Sequence, residues 1–148
     1  ASGNPGPGGI GVVLIYNKHR KEISEGYIRT TNNRMELLAV IRGLETVKWK
    51  NADIIVYSDS KYVTDAVNKQ WLFEWEKNQF RKKKNVDLWL RFLELYRKHK
   101  VKIEWIKGHA ANIENERCDK LAVEASKSSF LFFAFRVAIK SPFNYFFQ

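Results

Sequence analysis

Three carboxylate residues occupy positions from which they could take part in catalysis. Glu36 lies in the first turn of a predicted helix, Asp59 directly follows a predicted buried strand, and Asp119 lies in a predicted late helix. The sequence places no Cys or His cluster beside them, and all-oxygen ligand sets suit Mg²⁺ or Mn²⁺. In a strongly basic chain this set indicates phosphodiester hydrolysis, in which two metal ions roughly 4 Å apart activate a water and stabilise the leaving oxygen.

The same residues also have ordinary structural interpretations. A chain of this size always contains scattered acidic residues, so spacing alone does not establish a metal site. A first-turn Glu is ordinarily a solvent-exposed partner of the helix dipole. Glu36, however, follows the polar run 30–33 and precedes an apolar run that begins at Leu37. It could therefore face inward, where a carboxylate needs a metal ion or another cation as partner.

The charge of the chain favours a polyanionic partner. With 148 residues, the chain is long enough for one domain with a substantial core. Its net charge of +10 indicates binding to nucleic acid or to an acidic membrane face; a solvated basic surface that binds nothing is the alternative. The single cysteine, Cys118, excludes an intrachain disulfide and a thiolate zinc cluster. Since no stretch resembles a signal peptide, we expect a reducing compartment, the bacterial cytoplasm.

The hydrophobic pattern predicts an α/β protein. Apolar residues such as Leu37 and Ile41 recur at helical spacing, and 54–58 is a short apolar run typical of a buried strand. Asp59 lies where that strand ends and a helix begins. This is the carboxyl end of the sheet, where ligand sites are commonly found. The Gly- and Pro-rich residues 3–9 are predicted to be a turn. The predicted strands are 10–16, 22–27, 54–58 and 102–106. One predicted helix starts at the polar caps 30–33 and runs to about residue 47, and the other predicted helices span 61–67, 70–76, 86–99 and 113–126.

The composition changes at the C-terminal end. Residues 128–148 contain seven of the ten Phe and no Asp or Glu. This apolar stretch is too short to span a bilayer, and Arg136 interrupts it. We therefore divide the chain into a domain at 1–127 and an aromatic-rich tail of unknown role at 128–148.

Six motifs in a fixed order resemble those of type I ribonuclease H, in its bacterial-like form. The similarity extends from Gly3 to about Ser126. Six ordered motifs with suitable spacing are highly specific. They are GNPGPGG at 3–9, TTNNRMEL at 30–37, SDS at 58–60, NVDLW at 85–89, KGHA at 107–110 and NERCD at 115–119.

The resemblance implies a mixed five-stranded sheet with helices on both faces. It also implies metal-dependent endonucleolytic cleavage of the RNA strand of RNA–DNA hybrids, with two Mg²⁺ expected and Mn²⁺ as a possible substitute. Glu36, Asp59 and Asp119 would be metal ligands and catalytic residues. Asp59 would bridge both ions, and Glu36 would also contact the ribose 2′-hydroxyl. His109 would help to move protons or release product; a loop histidine without a role is the alternative.

The resemblance also assigns substrate contacts. It implies that the partner is an RNA–DNA hybrid, that the protein is a monomer and that it does not bind a membrane. Three asparagines, Asn4, Asn32 and Asn33, would reach the minor groove, where 2′-hydroxyls distinguish RNA from DNA. A phosphate of the DNA strand would be held some distance from the cut. A DNA-binding protrusion would combine tryptophans with a basic run, although tryptophans in a helix are more often core residues. The phosphate contacts would be Arg29, Thr31 and Asn85, and the protrusion would include Trp71, Trp75, Lys82, Lys83 and Lys84.

The chain departs from the family pattern at its start. In the family, a central strand that ends in Asp-Gly precedes the GNPG turn, and its Asp is the fourth metal ligand. That strand is absent here, so we expect a fragment of a longer product, two unpaired sheet edges, and weak or no activity. Residues 130–139 could form a strand in the gap, but they contain no carboxylate to replace the ligand. Lys61 also stands where the family often has a Gln that touches the hybrid, which leaves one minor-groove contact in doubt.

Two other interpretations remain. The chain could be a non-catalytic hybrid-binding module, or a pseudoenzyme that keeps the groove without the full metal site. It could also be a ribonuclease H domain from a reverse transcriptase polyprotein, although the bacterial-like match at 30–37 argues against this.

Overall fold

A computed structural model describes residues 4–16, 19–107 and 130–137 of the chain. The described part is an α/β fold of five strands and four helices. None of its helices is long and apolar enough to cross a membrane. The elements in chain order are β1 (Gly6–Tyr16), β2 (His19–Thr30), α1 (Asn32–Glu45), β3 (Asp53–Ser58), α2 (Lys61–Asn68), α3 (Trp71–Lys77), α4 (Val86–Lys98), β4 (Lys100–Trp105) and β5 (Phe130–Val137).

The five strands form one mixed sheet in the order β2-β1-β5-β3-β4. The hairpin β1–β2 is antiparallel, and β5 is antiparallel to β1. On its other side β5 runs parallel to β3, which in turn runs parallel to β4. The sequence prediction of a mixed five-stranded sheet is confirmed. The predicted helix 113–126 lies outside the described residues, as do His109 and Asp119.

Strand β5 occupies the gap that the sequence left between the first hairpin and β3. Phe133 pairs with Val13 of β1 on one side and with Tyr57 of β3 on the other. The expectation that β1 and β3 would both have unpaired edges is therefore wrong, because residues 130–137 supply the missing backbone partners. None of these eight residues is Asp or Glu. The division of the chain at residue 127 stays a prediction.

The glycine-rich start of the chain is more extended than predicted. Strand β1 already begins at Gly6, within the stretch expected to be a turn. Its register against β2 shifts between Gly6 and Gly8. Pro7 has no N–H to give to a ladder, and a bulge leaves one residue unpaired. The irregularity thus allows Pro7 to lie within the strand although it cannot donate a hydrogen bond.

Helix α1 lies over the middle of the sheet with one face fully buried. The stripe predicted from the sequence is in the core, with Leu37, Ile41 and Leu44 all at 0% exposure. The side chains of Trp89 and Phe92 in α4 join the same cluster. A buried aromatic or aliphatic side chain contributes about 1.5–3 kcal/mol by leaving water. This packing fixes the start of α1 relative to the ends of β3 and β4.

Residues on the opposite face of the sheet are buried as well. Val13, Tyr57 and Phe133 lie side by side across β1, β3 and β5, outside the main cluster. Tyr57 and Phe133 stack with their ring centroids 5.0 Å apart. Both faces of the central strands are thus withdrawn from water, as expected for a sheet that is covered on two sides.

Candidate active site

Ser60 joins the two described carboxylate residues that the sequence singled out. Its Oγ donates a hydrogen bond of 2.8 Å to Glu36 Oε2 and accepts one from the backbone N–H of Val63. Ser60 is the N-cap of α2 and is only 3% exposed. Because Asp59 directly precedes it, Ser60 brings the Asp59 turn beside the start of α1. The sequence placed Ser60 in the SDS motif without a role of its own, although a Ser between a strand end and a helix start is a recognisable capping signal.

Helix α1 begins with a well-formed cap at Thr31, so Glu36 lies further into the helix than predicted. The Oγ1 of Thr31 accepts a hydrogen bond of 3.2 Å from the N–H of Arg34. Because the helix begins at Asn32, Glu36 is its fifth residue, and the first turn contains no acidic residue. The prediction of a first-turn Glu is wrong for this reason. Glu36 therefore lies on the helix wall that faces Ser60 and not at the helix tip.

Hydrogen bonds within the turn, and others from the end of β4, hold the turn that contains Asp59. Within the turn, the N–H of Ser60 donates to Ser58 Oγ at 3.1 Å. Directly after β4, the N–H of Ile106 donates to the Ser58 carbonyl at 2.9 Å. The indole Nε1–H of Trp105 donates to the Asp59 carbonyl at 3.2 Å. The position of Asp59 at the end of a buried strand, predicted from the sequence, is confirmed.

The donor chemistry of Glu36 and Asp59 fits a magnesium ion. Mg²⁺ is commonly bound by one or two carboxylates together with waters and substrate phosphate. Among residues 4–16, 19–107 and 130–137, no group of three or more His, Cys, Asp or Glu side chains is close enough to hold a metal. Asp119, the third predicted ligand, lies outside those ranges. The pair Glu36 and Asp59 is thus the described part of the predicted ligand set.

Two of the three asparagines predicted to reach the minor groove touch each other. The N–H of Asn32 donates to Asn4 Oδ1 at 3.2 Å, which ties the entry turn before β1 to the first residue of α1. Asn33, the next residue, lines a cavity together with residues of α2, α3 and the loop before α4. Arg29 is exposed near the end of β2. The groove contacts assigned to these residues stay predictions.

The tryptophans and lysines of the predicted protrusion surround one cavity of about 410 Å³. Elements that are distant in sequence contribute its walls: the start of α1, helices α2 and α3, and the basic loop before α4. The structure therefore gathers several residues that the sequence assigned to separate contacts. The lining residues are Asn33, Tyr62, Trp71, Trp75, Lys82, Lys83, Lys84 and Asn85.

The two tryptophans of the predicted protrusion differ in their packing, and their contact with DNA stays a prediction. Trp71 is 46% exposed, and the Lys69 ammonium lies 5.1 Å from its ring centroid. Trp75 packs edge-on against the buried Trp89 at 5.8 Å, while the Lys83 ammonium lies 4.8 Å from its ring. Trp75 thus anchors α3 to the core and holds one lysine of the basic loop, whereas Trp71 offers an open aromatic face.

Asn85 is fixed by its neighbours in a left-handed conformation, with φ of 62°. Its Oδ1 accepts from Arg34 at 3.2 Å, and its Nδ2 donates to Tyr62 Oη at 3.1 Å. Arg34 also makes two hydrogen bonds to the Asp87 carboxylate, at 3.0 and 2.8 Å. These bonds from Arg34 lower the pKa of Asp87 below its usual value. The sequence motif contained Asn85 and Asp87, but their shared partner in α1 could not be read from it.

Comparisons with known proteins identify the family. A sequence model of the RNase H family matches residues 1–127. The ribonuclease H of Desulforamulus reducens is 55% identical over 131 residues, which cover 85% of this chain and 82% of that protein. The ribonuclease H of Trichodesmium erythraeum is 52% identical over 131 residues, with 85% and 83% covered.

Solved structures show the same fold. LC9-RNase H1, described as a type 1 RNase H with the type 2 active-site motif, matches with a TM-score of 0.62 and 28% identity, over 80% of this chain and 62% of that one. The N-terminal RNase H domain of Rv2228c from Mycobacterium tuberculosis, solved as a fusion with maltose-binding protein, matches with a TM-score of 0.56 and 25% identity, over 84% and 91%. By sequence and by fold, this chain belongs to the RNase H family of enzymes.

Proposed function

We propose that this protein hydrolyses the RNA strand of RNA–DNA hybrids in a reaction that depends on a divalent metal ion. The observation that carries the proposal is the Ser60 bridge, which holds Glu36 beside the Asp59 turn at the carboxyl end of β3. Family membership and the net charge of +10 support a nucleic-acid substrate.

The chain's own residues would hold the metal and orient the site. Glu36 and Asp59, together with Asp119, would bind Mg²⁺ or Mn²⁺, in a pair of ions. Bound there, the metal would supply an activated water and stabilise the leaving oxygen. Ser60 directs one oxygen of Glu36, and β4 holds the backbone of Asp59. His109 would take or give a proton during the reaction.

Recognition of the hybrid would use residues around the start of α1 together with the lysines of the cavity. Asn4, Asn32 and Asn33 would contact minor-groove 2′-hydroxyls, the groups by which a protein distinguishes RNA from DNA. Arg29, Thr31 and Asn85 would hold a phosphate of the DNA strand. The lysines around the cavity would bind further along the DNA backbone. Exposed Trp71 beside those lysines supports this surface.

The central strand motivates a second candidate function. Strand β5 lies next to β3, yet it carries no carboxylate that could join Asp59. We therefore expect slow cleavage, and a non-catalytic hybrid-binding module is the alternative. The protein would act as a monomer in the cytoplasm, which agrees with its single cysteine.

The test compares Asp59→Asn with Asp53→Asn, using a labelled hybrid and Mg²⁺. Both substitutions remove one negative charge from β3 or its end, but Asp53 is exposed at the other end of the strand. We expect Asp59→Asn to reduce cleavage by about 100-fold or more, the scale of losing one preorganised electrostatic group. Hybrid affinity, measured by fluorescence anisotropy without metal, should stay within about twofold, and Asp53→Asn should cleave like the unsubstituted chain.

Three results would contradict this proposal. Normal cleavage by Asp59→Asn would remove Asp59 from the catalytic set. Loss of hybrid binding in that variant would make Asp59 a structural residue. Tight hybrid binding without any cleavage by the unsubstituted chain would favour the non-catalytic module.

A further inference from the structure

Trp105 extends the pairing of β3 and β4 by one hydrogen bond beyond the backbone ladder. The last paired residues are Ser58 and Trp105, and the N–H of Ile106 donates to the Ser58 carbonyl. The next carbonyl of the chain is that of Asp59, and its donor is the indole N–H of Trp105, at 3.2 Å. A side chain of β4 thus holds the backbone of a predicted metal ligand where the strand ends.

The ring that makes this bond is not held in place by burial. Trp105 is 42% exposed. Its ring instead lies under the ammonium of Lys61, 3.9 Å from Nζ to the ring centroid. Lys61 is the first residue of α2, where the positive end of the helix dipole disfavours a cation. Cation–π attraction offsets this cost and restrains both side chains.

We propose that Trp105 is a positioning residue for Asp59, and that Lys61 holds the Trp105 ring in the orientation this requires. The bond from the indole fixes the Asp59 peptide, and with it the direction in which the carboxylate leaves the turn. Residues that hold a metal ligand without touching the metal still influence how tightly the site binds the metal. Losing such a residue typically costs 10–100-fold in metal affinity or activity. This inference rests on the proposed function of Asp59 as a metal ligand.

The test uses Trp105→Phe, which keeps an aromatic ring for Lys61 but removes the N–H donor. We expect the dissociation constant for Mg²⁺, measured by calorimetry without substrate, to rise roughly 10-fold. In cleavage assays, kcat should fall and the Mg²⁺ concentration for half-maximal rate should rise, with KM for the hybrid unchanged. Lys61→Met should shift Mg²⁺ binding in the same direction by a smaller factor, and Lys61→Arg, which can still stack on the ring, should restore it.

A matched control removes another exposed indole. Trp49 is 57% exposed and packs edge-on against Tyr16. Trp49→Phe should leave Mg²⁺ affinity and cleavage unchanged. Thermal unfolding of each variant checks the fold. If Trp105→Phe is too unstable to assay, the Lys61→Met and Lys61→Arg pair carries the test.

Several outcomes would overturn the inference. Unchanged Mg²⁺ affinity in Trp105→Phe would show that the bond does not position the ligand. A raised KM with unchanged Mg²⁺ affinity would make Trp105 or Lys61 a direct substrate contact. Absence of Mg²⁺ binding by the unsubstituted chain would also reject it. Failure of the proposed function looks different: the unsubstituted chain would bind Mg²⁺ and lose affinity on Trp105→Phe, yet would cleave no hybrid.

Discussion

Ser60 shows how a single short side chain can link a carboxylate of the site, Glu36, to the start of the helix that follows Asp59. A hydroxyl has one hydrogen to donate and lone pairs to accept with, and Ser60 uses both, toward Glu36 and toward the N–H of Val63. The cap of α2 and the orientation of Glu36 therefore depend on the same atom. A rearrangement at the start of α2 would be felt at Glu36 on a different helix.

His99 is a residue whose stability contribution should depend on pH. Its ring is 7% exposed, and Nδ1 accepts a hydrogen bond of 3.2 Å from the N–H of Ala52. Its Nε2 is buried without a hydrogen-bond partner among the described residues. Burial, with a smaller effect from the charge of Lys98, lowers the pKa of His99. The folded protein thus favours the neutral imidazole, which keeps Nδ1 as an acceptor.

We expect the protein to lose stability as the pH falls below about 6.5, the ordinary pKa of histidine. In that range the unfolded chain takes up a proton that folded His99 resists, so the free energy of unfolding decreases. The loss should level off once the pH is below the lowered pKa of the folded state. Urea unfolding at about pH 7.5 and 5.5 measures the difference, in a window above the ordinary pKa of carboxylates.

His99→Asn is the control for this prediction. The Asn Oδ1 can replace Nδ1 as acceptor for Ala52, but the amide does not titrate. The variant should therefore show a smaller stability difference between the two pH values. An equal difference in both proteins would assign the pH dependence to other groups.

At the residue scale, the sequence predicts what depends on local pattern. The buried stripe containing Leu37 and Ile41 follows from a period of 3.6, and the place of Asp59 follows from the end of an apolar run. The Ser60–Glu36 bond spans 24 positions of the chain, and the bond from Trp105 to Asp59 spans 46. Such partners depend on how elements pack, so a single sequence does not reveal them.

At the scale of elements, β5 decides whether the sheet exists as one unit. Residues 131–137 pair with β1 and residues 130–134 pair with β3, and without β5 the two halves of the sheet have no strand between them. The completely buried Phe133 adds the stacking with Tyr57. Removing a buried Phe side chain alone typically costs 3–5 kcal/mol, against a total stability of about 5–15 kcal/mol for a domain.

Deletion of residues 128–148 should therefore abolish cooperative folding. The truncated chain would expose the backbone groups of β1 and β3 and the apolar face that Phe133 covers. Circular dichroism during heating should show no sharp transition. A synthetic peptide of residues 128–148 added in trans should restore it, and the same peptide with Ala134→Pro should not, since proline removes a donor within the strand.

A truncated chain that melts cooperatively at the temperature of the full chain would contradict this role for β5. The sequence made a strand in residues 130–139 possible but could not require it. An apolar run of this length fits a strand, a buried helix segment or a tail, and its place in the sheet depends on the edges that β1 and β3 leave. The resemblance indicated those edges, but only the pairing within the whole sheet shows that residues 130–137 fill the gap between them.

At the scale of the whole molecule, the positive charge is unevenly placed. Lys82, Lys83 and Lys84 are exposed around the 410 Å³ cavity, close to Trp71 and Asn33. Another basic group, at Lys98, Lys100 and Lys102, lies at the other end of α4 and along β4. Helix α4 has 13 residues, so its ends are about 20 Å apart at 1.5 Å per residue. Both groups contribute equally to the net charge of +10.

These two groups make it possible to separate net charge from local contact in hybrid binding. Each phosphate that a lysine neutralises steepens the dependence of log K on log salt by roughly 0.7–0.9. The triple substitution Lys82→Gln, Lys83→Gln, Lys84→Gln should therefore reduce the magnitude of the slope by roughly 2–3, if all three lysines contact phosphates. The triple substitution Lys98→Gln, Lys100→Gln, Lys102→Gln changes the net charge equally but should leave the slope nearly unchanged. Fluorescence anisotropy between about 50 and 200 mM salt measures both. An equal reduction in the two variants would mean that the protein binds the hybrid through its overall charge, and that the cavity beside Trp71 is not the place where the DNA backbone lies.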